Sequence, residues 1–237
     1  FRQYDTRDAE VLLLEGGPRL LPTFPEELSL RADKSLRNLG VRVQVGARVR
    51  DIRENKVLYE CADEVVEVAT ATVLWGAGMS ASPLAGVIAE RTGAEVDRGG
   101  RVKVGPDLSI EGYPEILLLG DMAHCIGADG QPLPGVAPVA MQQGRYAARL
   151  VAARLKGGVL GPFRYVNKGN LAVIGRHAAV ADLGFWRLAG YPAWLIWLFV
   201  HIAYLIEFDN KVMVLFQWAW NYFTRKRGAR LITDEKK

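Results

Sequence analysis

Hydrophobic positions fall into three textures along this chain. Val11-Leu12-Leu13-Leu14 is a continuous apolar run closed by Glu15-Gly16-Gly17-Pro18, the pattern of a buried parallel strand entering a turn. Over residues 25–39 the apolar side chains Leu28, Ala32, Leu36 and Leu39 recur at helical spacing, with Pro25 in the first turn and Gly40 just past the end. Residues 41–45 and 49–53 read as strands, and 56–59 with 64–68 alternate like a hairpin pair on a sheet face. Residues 72–75 predict a further strand that runs into the tight turn Gly76-Ala77-Gly78.

A second texture begins near residue 80. The pattern predicts a short helix over 84–89, a turn at Gly99-Gly100, and strands over 101–104 and 116–119, the latter ending in Gly120-Asp121. Pro132, Pro134 and Pro138 mark a loop, a long helix follows over 139–155, and short strands fall at 171–174 and 178–181.

The third texture is the tail. Residues 188–206 carry no charge, and by length alone they qualify as a membrane span. The next apolar segment, 212–223, is too short to cross. Asn210, Gln217, Asn221 and Thr224 fall on one of its faces, and Arg225-Lys226-Arg227 closes it. Trp194 and Trp197 sit well inside the first segment, and Tyr191, His201 and Tyr204 add polar tips. A spanning helix carries its aromatic belt at the two ends. The tail is therefore expected to lie as a hairpin in the membrane interface, with the basic cluster on anionic lipid.

Composition narrows the function class. The chain has 237 residues, half of them apolar, and a formal net charge of +4. Its basic residues are scattered except at the C-terminal end, which points away from nucleic acid. Cys61 and Cys125 are the two cysteines and form no CxxC, so neither a disulfide framework nor a structural zinc site is indicated, and a reducing compartment fits. His124, His177 and His201 show no metal-ligand spacing, and Cys125 reads as a small buried thiol. Residues 1–9 are polar and charged with no apolar core of a signal peptide; the chain is expected to begin in mid-domain.

Five places could carry chemistry. Glu15 ends a strand, where a carboxylate can hold a ribose diol or can simply cap a turn. Gly120-Asp121 ends another, with the same two readings. The helix that starts near Val136 offers free N–H groups and a dipole that favour negative charge. On it, Gln142 and Gln143 can donate hydrogen bonds to a neutral carbonyl, or can be solvated glutamines. Lys168 could set positive charge beside a reduced ring, or be a surface lysine in a turn.

Together, the segments around Glu15, Gly76-Ala77-Gly78, Gly120-Asp121-Met122-Ala123, residues 137–144, residues 168–176 and Ala193-Trp194-Leu195 closely resemble the type II NADH:quinone oxidoreductases. The resemblance implies an α/β flavoprotein with two Rossmann-like dinucleotide-binding domains, its N-terminal part missing, and C-terminal amphipathic membrane-binding helices. It divides the chain into part of an NADH-binding domain (1–95), the C-terminal part of an FAD-binding domain (96–185) and a membrane-anchoring tail (186–237).

The resemblance also implies roles. Glu15 would bind the NADH ribose, with Gly76, Ala77 and Gly78 on the nicotinamide side. Gly120 and Asp121 would hold FAD, with Val139 near its ring. Gln142 and Gln143 would face a membrane quinone, and Lys168 would sit beside the flavin. An acidic Glu15 leans towards NADH, since it repels a 2′-phosphate. Implied partners are FAD, NADH, a membrane quinone, the lipid surface and a second copy of the chain in a homodimer. The implied place is the cytoplasmic side of a bacterial inner membrane, bound peripherally. Pro138 departs from members that carry a glutamine there, and the family's two Gly-rich loops are not in this sequence. Two other readings stand beside this one: a sulfide:quinone or ferredoxin-type reductase, and an inactive membrane-docking protein with a degenerate nucleotide fold.

Overall fold

The computed structural model describes residues 9–204 and 208–224. The basic cluster Arg225-Lys226-Arg227 and the first eight residues lie outside the described residues. In chain order, β1 (Val11–Glu15), α1 (Glu26–Asn38), β2 (Val41–Val45), β3 (Arg48–Arg53), β4 (Lys56–Cys61) and β5 (Glu64–Ala69) come first. They are followed by α2 (Pro83–Thr92), β6 (Val102–Lys103), β7 (Ser109–Ile110), β8 (Tyr113–Leu117), a 3-10 turn at Gly120–Met122, β9 (Ala123–His124) and α3 (Ala137–Leu155). The last are β10 (Asn170–Gly175), β11 (Ala178–Asp182), β12 (Arg187–Gly190), α4 (Tyr191–Ala203) and α5 (Phe208–Thr224). Two compact units result, residues 1–73 with 168–237, and residues 74–167.

In the first unit, β1 and β2 pair in parallel across α1, a βαβ arrangement. β1 is not buried as its apolar run predicts: Val11 is exposed and the rest half-buried, because β2 is its one strand neighbour among the described residues. α1 starts at the predicted proline and buries Leu28 and Ala32, which pack with Phe24 and Val180. β3, β4 and β5 form an antiparallel meander in which Val57 and Tyr59 of β4 are buried.

The predicted strand over 72–75 does not form. Residues 72–82 take no regular structure, and Leu74 is 94 % exposed. A strand needs a neighbour for its N–H and C=O groups, and no described ladder receives this segment.

The tail also departs from its sequence pattern. Leu188 belongs to β12, which completes an antiparallel sheet with β10 and β11. The apolar run thus starts as a strand, and α4 keeps 13 residues, a length of about 20 Å at ~1.5 Å per residue. No described helix is long and apolar enough to cross a membrane. α4 packs Ala193, Trp194 and Trp197 onto Ala179 and Ala181 of β11. Trp197 stacks on Trp218 of α5 with ring centroids 5.8 Å apart, while Phe199, Met213, Phe216 and Trp220 face outward.

The second unit is built on short strands. β6 pairs in parallel with β9, and β7 antiparallel with β8. Ser82 caps α2 by accepting from the Leu84 N–H at 3.4 Å, and Pro83 occupies its first turn, where no N–H is needed. Ala85 of α2 joins Val102, Ile110, Leu118 and Ala123 in one core cluster. A second cluster gathers Leu108, Cys125, and Tyr146 and Leu150 of α3.

Candidate functional site

Gly120 has φ +63°, the left-handed region in which a side chain costs about 1–2 kcal/mol. A Cβ added there would come within 3.3 Å of Ala140 Cβ on α3, so glycine also permits the close approach of the helix. The turn presents Asp121 to solvent, and among the described residues no donor meets its carboxylate. Gly135 lies alongside: a Cβ there would fall 3.2 Å from Asp121 Oδ1 and would collide with Met79 Cε. Met79 follows the exposed, irregular Gly76-Ala77-Gly78 stretch. Gly120, Asp121, Gly135 and the start of α3 therefore form one cradle inside the second unit.

α3 carries both glutamines, and their surroundings differ. Gln142 is half-buried, its Nε2 donating to the Val166 carbonyl at 2.9 Å and its Oε1 accepting from the Val166 N–H at 3.0 Å. This two-way pairing fixes which amide atom is which and leaves the second Nε2 hydrogen free to donate. A cavity of 410 Å³ opens beside Gln142, lined also by Arg145, Tyr146, Arg149, Phe163 and Arg164.

Gln143, expected alongside Gln142 and facing a quinone, is placed differently. It is 1 % exposed, and its Oε1 accepts from the Gly120 N–H at 2.6 Å. Along a helix, i and i+1 point about 100° apart, so two adjacent glutamines rarely face one ligand. Val139, one turn earlier on the same stripe, is buried as well.

A network missed at the sequence level supports the adjacent strands. Asp97 Oδ1 accepts from the N–H groups of Gly99 and Arg101, both at 2.9 Å, and Oδ2 meets Arg101 Nε at 2.7 Å and His124 Nδ1 at 3.0 Å. Burial pushes the Asp97 carboxyl up, but the His124, Arg101 and Gly99 donors outweigh it and hold the group well below the usual carboxylate range. The Asp97-Arg98-Gly99-Gly100-Arg101 stretch was the legible signal, a carboxylate two residues before a Gly-Gly turn. Burial raises the Cys125 thiol above its ordinary pKa, and the neighbouring Gln143 amide opposes that rise.

The first unit holds the other two candidates. Glu15 stands at the tip of β1, and its Oε1 accepts from the Gly17 N–H at 2.7 Å. The same turn is tied to the end of β2, with the Ala47 N–H on the Glu15 carbonyl at 2.9 Å and the Gly46 N–H on the Gly17 carbonyl at 2.8 Å. Lys168 is exposed and donates to the Tyr204 hydroxyl at 3.3 Å, with its Nζ 5.9 Å from that ring. Gly169 next to it has φ +97°, and a Cβ there would collide with the Asp182 carbonyl; no other residue fits this turn. Sequence reasoning gave Tyr204 no part near Lys168, since they lie far apart in the chain.

Comparison with known proteins places this arrangement. The pyridine nucleotide-disulphide oxidoreductase family matches residues 2–144. The chain belongs to this family. Residues 167–227 match the NDH2 C-terminal domain. The type II NADH:quinone oxidoreductase Ndh of Mycobacterium tuberculosis is 41 % identical over 240 residues, covering 100 % of this chain and 51 % of that protein. NdhA of the same organism, also a type II NADH:quinone oxidoreductase, is 37 % identical, covering 99 % of this chain and 50 % of that protein. The chain thus spans about half the length of these curated relatives. Among solved structures, NDH2 from Plasmodium falciparum in complex with NADH matches with a TM-score of 0.82 at 16 % identity, over 93 % of this chain and 59 % of that one. These matches bear out the expected Rossmann-like α/β class and the resemblance to the type II enzymes.

The Gly120-Asp121 cradle holds a carboxylate that is unpartnered among the described residues, and a Cβ at either Gly120 or Gly135 would crowd the turn.

Proposed function

We propose that this chain is part of an FAD-dependent oxidoreductase that passes electrons from NADH to a membrane quinone without pumping protons. The observation that carries the reading is the unpartnered Asp121 carboxylate on the Gly120 turn at the start of α3, in a chain of this family. A bound flavin would supply the chemistry of accepting a hydride and giving up two electrons.

The residues' parts follow from their surroundings. Asp121 would accept a hydrogen bond from the flavin's polyol chain, and Gly120 would leave room for it. The dipole of α3 would favour negative charge on the ring, and Val139 would wall the ring side. Glu15, already turned by the Gly17 N–H, would take the ribose hydroxyls of NADH through its second oxygen and disfavour NADPH. Gly76, Ala77 and Gly78 would flank the nicotinamide. Lys168 would bring positive charge to the reduced ring, oriented by Tyr204. Gln142 would donate its free Nε2 hydrogen to a quinone carbonyl.

Residues 1–95 would then serve NADH, 96–185 FAD and 186–237 the membrane. The outward Phe199, Phe216 and Trp220 suit an interfacial seat on a lipid surface, bound peripherally on the cytoplasmic side of a bacterial inner membrane, in a protein that pairs as a homodimer.

The test is Gln142→Ala in the flavin-loaded protein, with the two half-reactions followed by stopped flow. Flavin reduction by NADH should keep its rate, while reoxidation by quinone should slow by about tenfold or more, the ~1.4 kcal/mol of one hydrogen bond. Equal slowing of both steps, or of neither, would remove Gln142 from the quinone site.

A further inference from the structure

The buried stripe of α3 runs Val139, Gln143, Tyr146, Ala147, Leu150. Gln143 is the one primary amide in it, and it is almost fully buried. An apolar residue would pack there without the cost of desolvating an amide, about 1–3 kcal/mol when a partner is lacking. The amide oxygen is engaged with the backbone instead. Oε1 takes the Gly120 N–H at 2.6 Å.

Gly120 has no strand partner and sits in a left-handed conformation. Its N–H would otherwise be an orphan donor inside the fold. Gln143 supplies the missing acceptor and so sets the direction in which the next residue, Asp121, leaves the turn. One side chain thereby ties the helix to the turn before β9.

We propose that Gln143 is a positioning residue that locks the Gly120-Asp121 turn for the polyol chain of the flavin, and that it makes no contact with the quinone. This rests on the proposed role of Asp121 as a flavin contact. It separates the two adjacent glutamines: Gln142 turned to the electron acceptor, Gln143 turned to the cofactor through the backbone of Gly120.

The experiment uses the flavin-loaded protein and three variants at this place and its neighbour. Gln143→Leu removes the acceptor but keeps the volume apolar. Gln143→Glu keeps a carbonyl-type acceptor whether or not it is protonated. Asp121→Ala controls for the underlying reading. FAD affinity is measured by direct titration of the flavin-stripped protein, exchange of the Gly120 amide by hydrogen–deuterium mass spectrometry, and quinone KM by steady-state assay.

Gln143→Leu should weaken FAD binding by about tenfold or more, speed Gly120 exchange and leave quinone KM unchanged, while Gln143→Glu restores most of the affinity and the slow exchange. If Gln143→Leu does not fold, Gln143→Met carries the same comparison in a more adaptable side chain. Unchanged FAD affinity in the apolar variant, or a raised quinone KM at normal affinity, would overturn the proposal. If Asp121→Ala also leaves FAD affinity unchanged, the reading of Asp121 has failed; if Asp121→Ala weakens binding and the apolar variant does not, only the role of Gln143 has.

Discussion

Glu15 and Asp121 both follow a short apolar strand and both stand beside glycines, yet the fold treats them in opposite ways. Glu15 is oriented from within its own turn: the Gly17 N–H two residues on holds one carboxylate oxygen, and Gly46 and Ala47 hold the turn's backbone. Asp121 has no donor of its own among the described residues, and what is fixed instead is the backbone before it, through Gln143 and the close approach of α3 to Gly120. The first device pre-organises a side chain. The second pre-organises a piece of main chain and leaves the carboxylate fully available to a ligand. A ribose diol, whose two hydroxyls are fixed relative to each other, would suit a side chain held in one direction; a flexible polyol chain would suit the second.

The comparison breaks most visibly at Gly120. Gly120→Ala sets a side chain into a left-handed backbone, at about 1–2 kcal/mol, and presses its Cβ to 3.3 Å from Ala140 Cβ. The thermal midpoint of the protein should fall by several degrees, and flavin should be lost on gel filtration. A variant that keeps both its midpoint and its flavin would show that the turn is not held as described.

Asp97 sharpens the contrast, since it is the carboxylate with most partners here: two backbone N–H groups, Arg101 and His124. Asp97→Asn puts an NH2 where two side-chain donors converge, and should cost about 1–3 kcal/mol of stability at pH 7. The folded carboxyl lies below its ordinary value, so its contribution is complete above the unfolded pKa of ~3.9 and is lost as pH falls through the folded value. In urea melts the gap between wild type and Asp97→Asn should therefore hold near neutral pH and narrow below pH ~4. A gap that widened on acidification below that point would contradict the network.

What the sequence made legible follows from how local each signal is. Helical spacing with proline and glycine punctuation placed α1, and the apolar pattern placed α2 and α3, because each depends on residues a few positions apart. The strand over 72–75 and the burial of β1 failed for one reason: an apolar run says that a segment can pair, while its neighbours decide whether it does. Leu188 shows the same limit, since an uncharged stretch hid the switch from β12 to α4. At the site, Glu15, Gly120-Asp121 and Gln142 could be read as types at strand tips and a helix start. That Gln143 turns inward could not, because it depends on where Gly120 comes to rest 23 residues away. The pairing of Lys168 with Tyr204 spans 36 residues and was equally out of reach.

The smallest effects belong to the Glu15 side, and they test whether its local device matters. Glu15→Gln keeps the shape and the acceptor for Gly17 but gives up the charge. Hydrogen bonds to charged groups are worth about 1.5–3 kcal/mol against ~1 for neutral ones, so KM for NADH should rise by about tenfold with kcat little changed, and the bias against NADPH should shrink. Gly17→Ala probes the same contact more gently. Its Cβ would lie 3.1 Å from Glu15 Oε1, closer than a relaxed contact, but the atom it meets is the end of a flexible side chain. The carboxylate can give by a few tenths of an ångström, so stability should change by less than ~0.5 kcal/mol. Its cost should appear in NADH binding alone, as a KM raised about threefold. If Gly17→Ala is silent while Glu15→Gln is not, the charge of Glu15 matters and its orientation by Gly17 does not. The contrast with Asp121 would then lie in the ligand rather than in the turn.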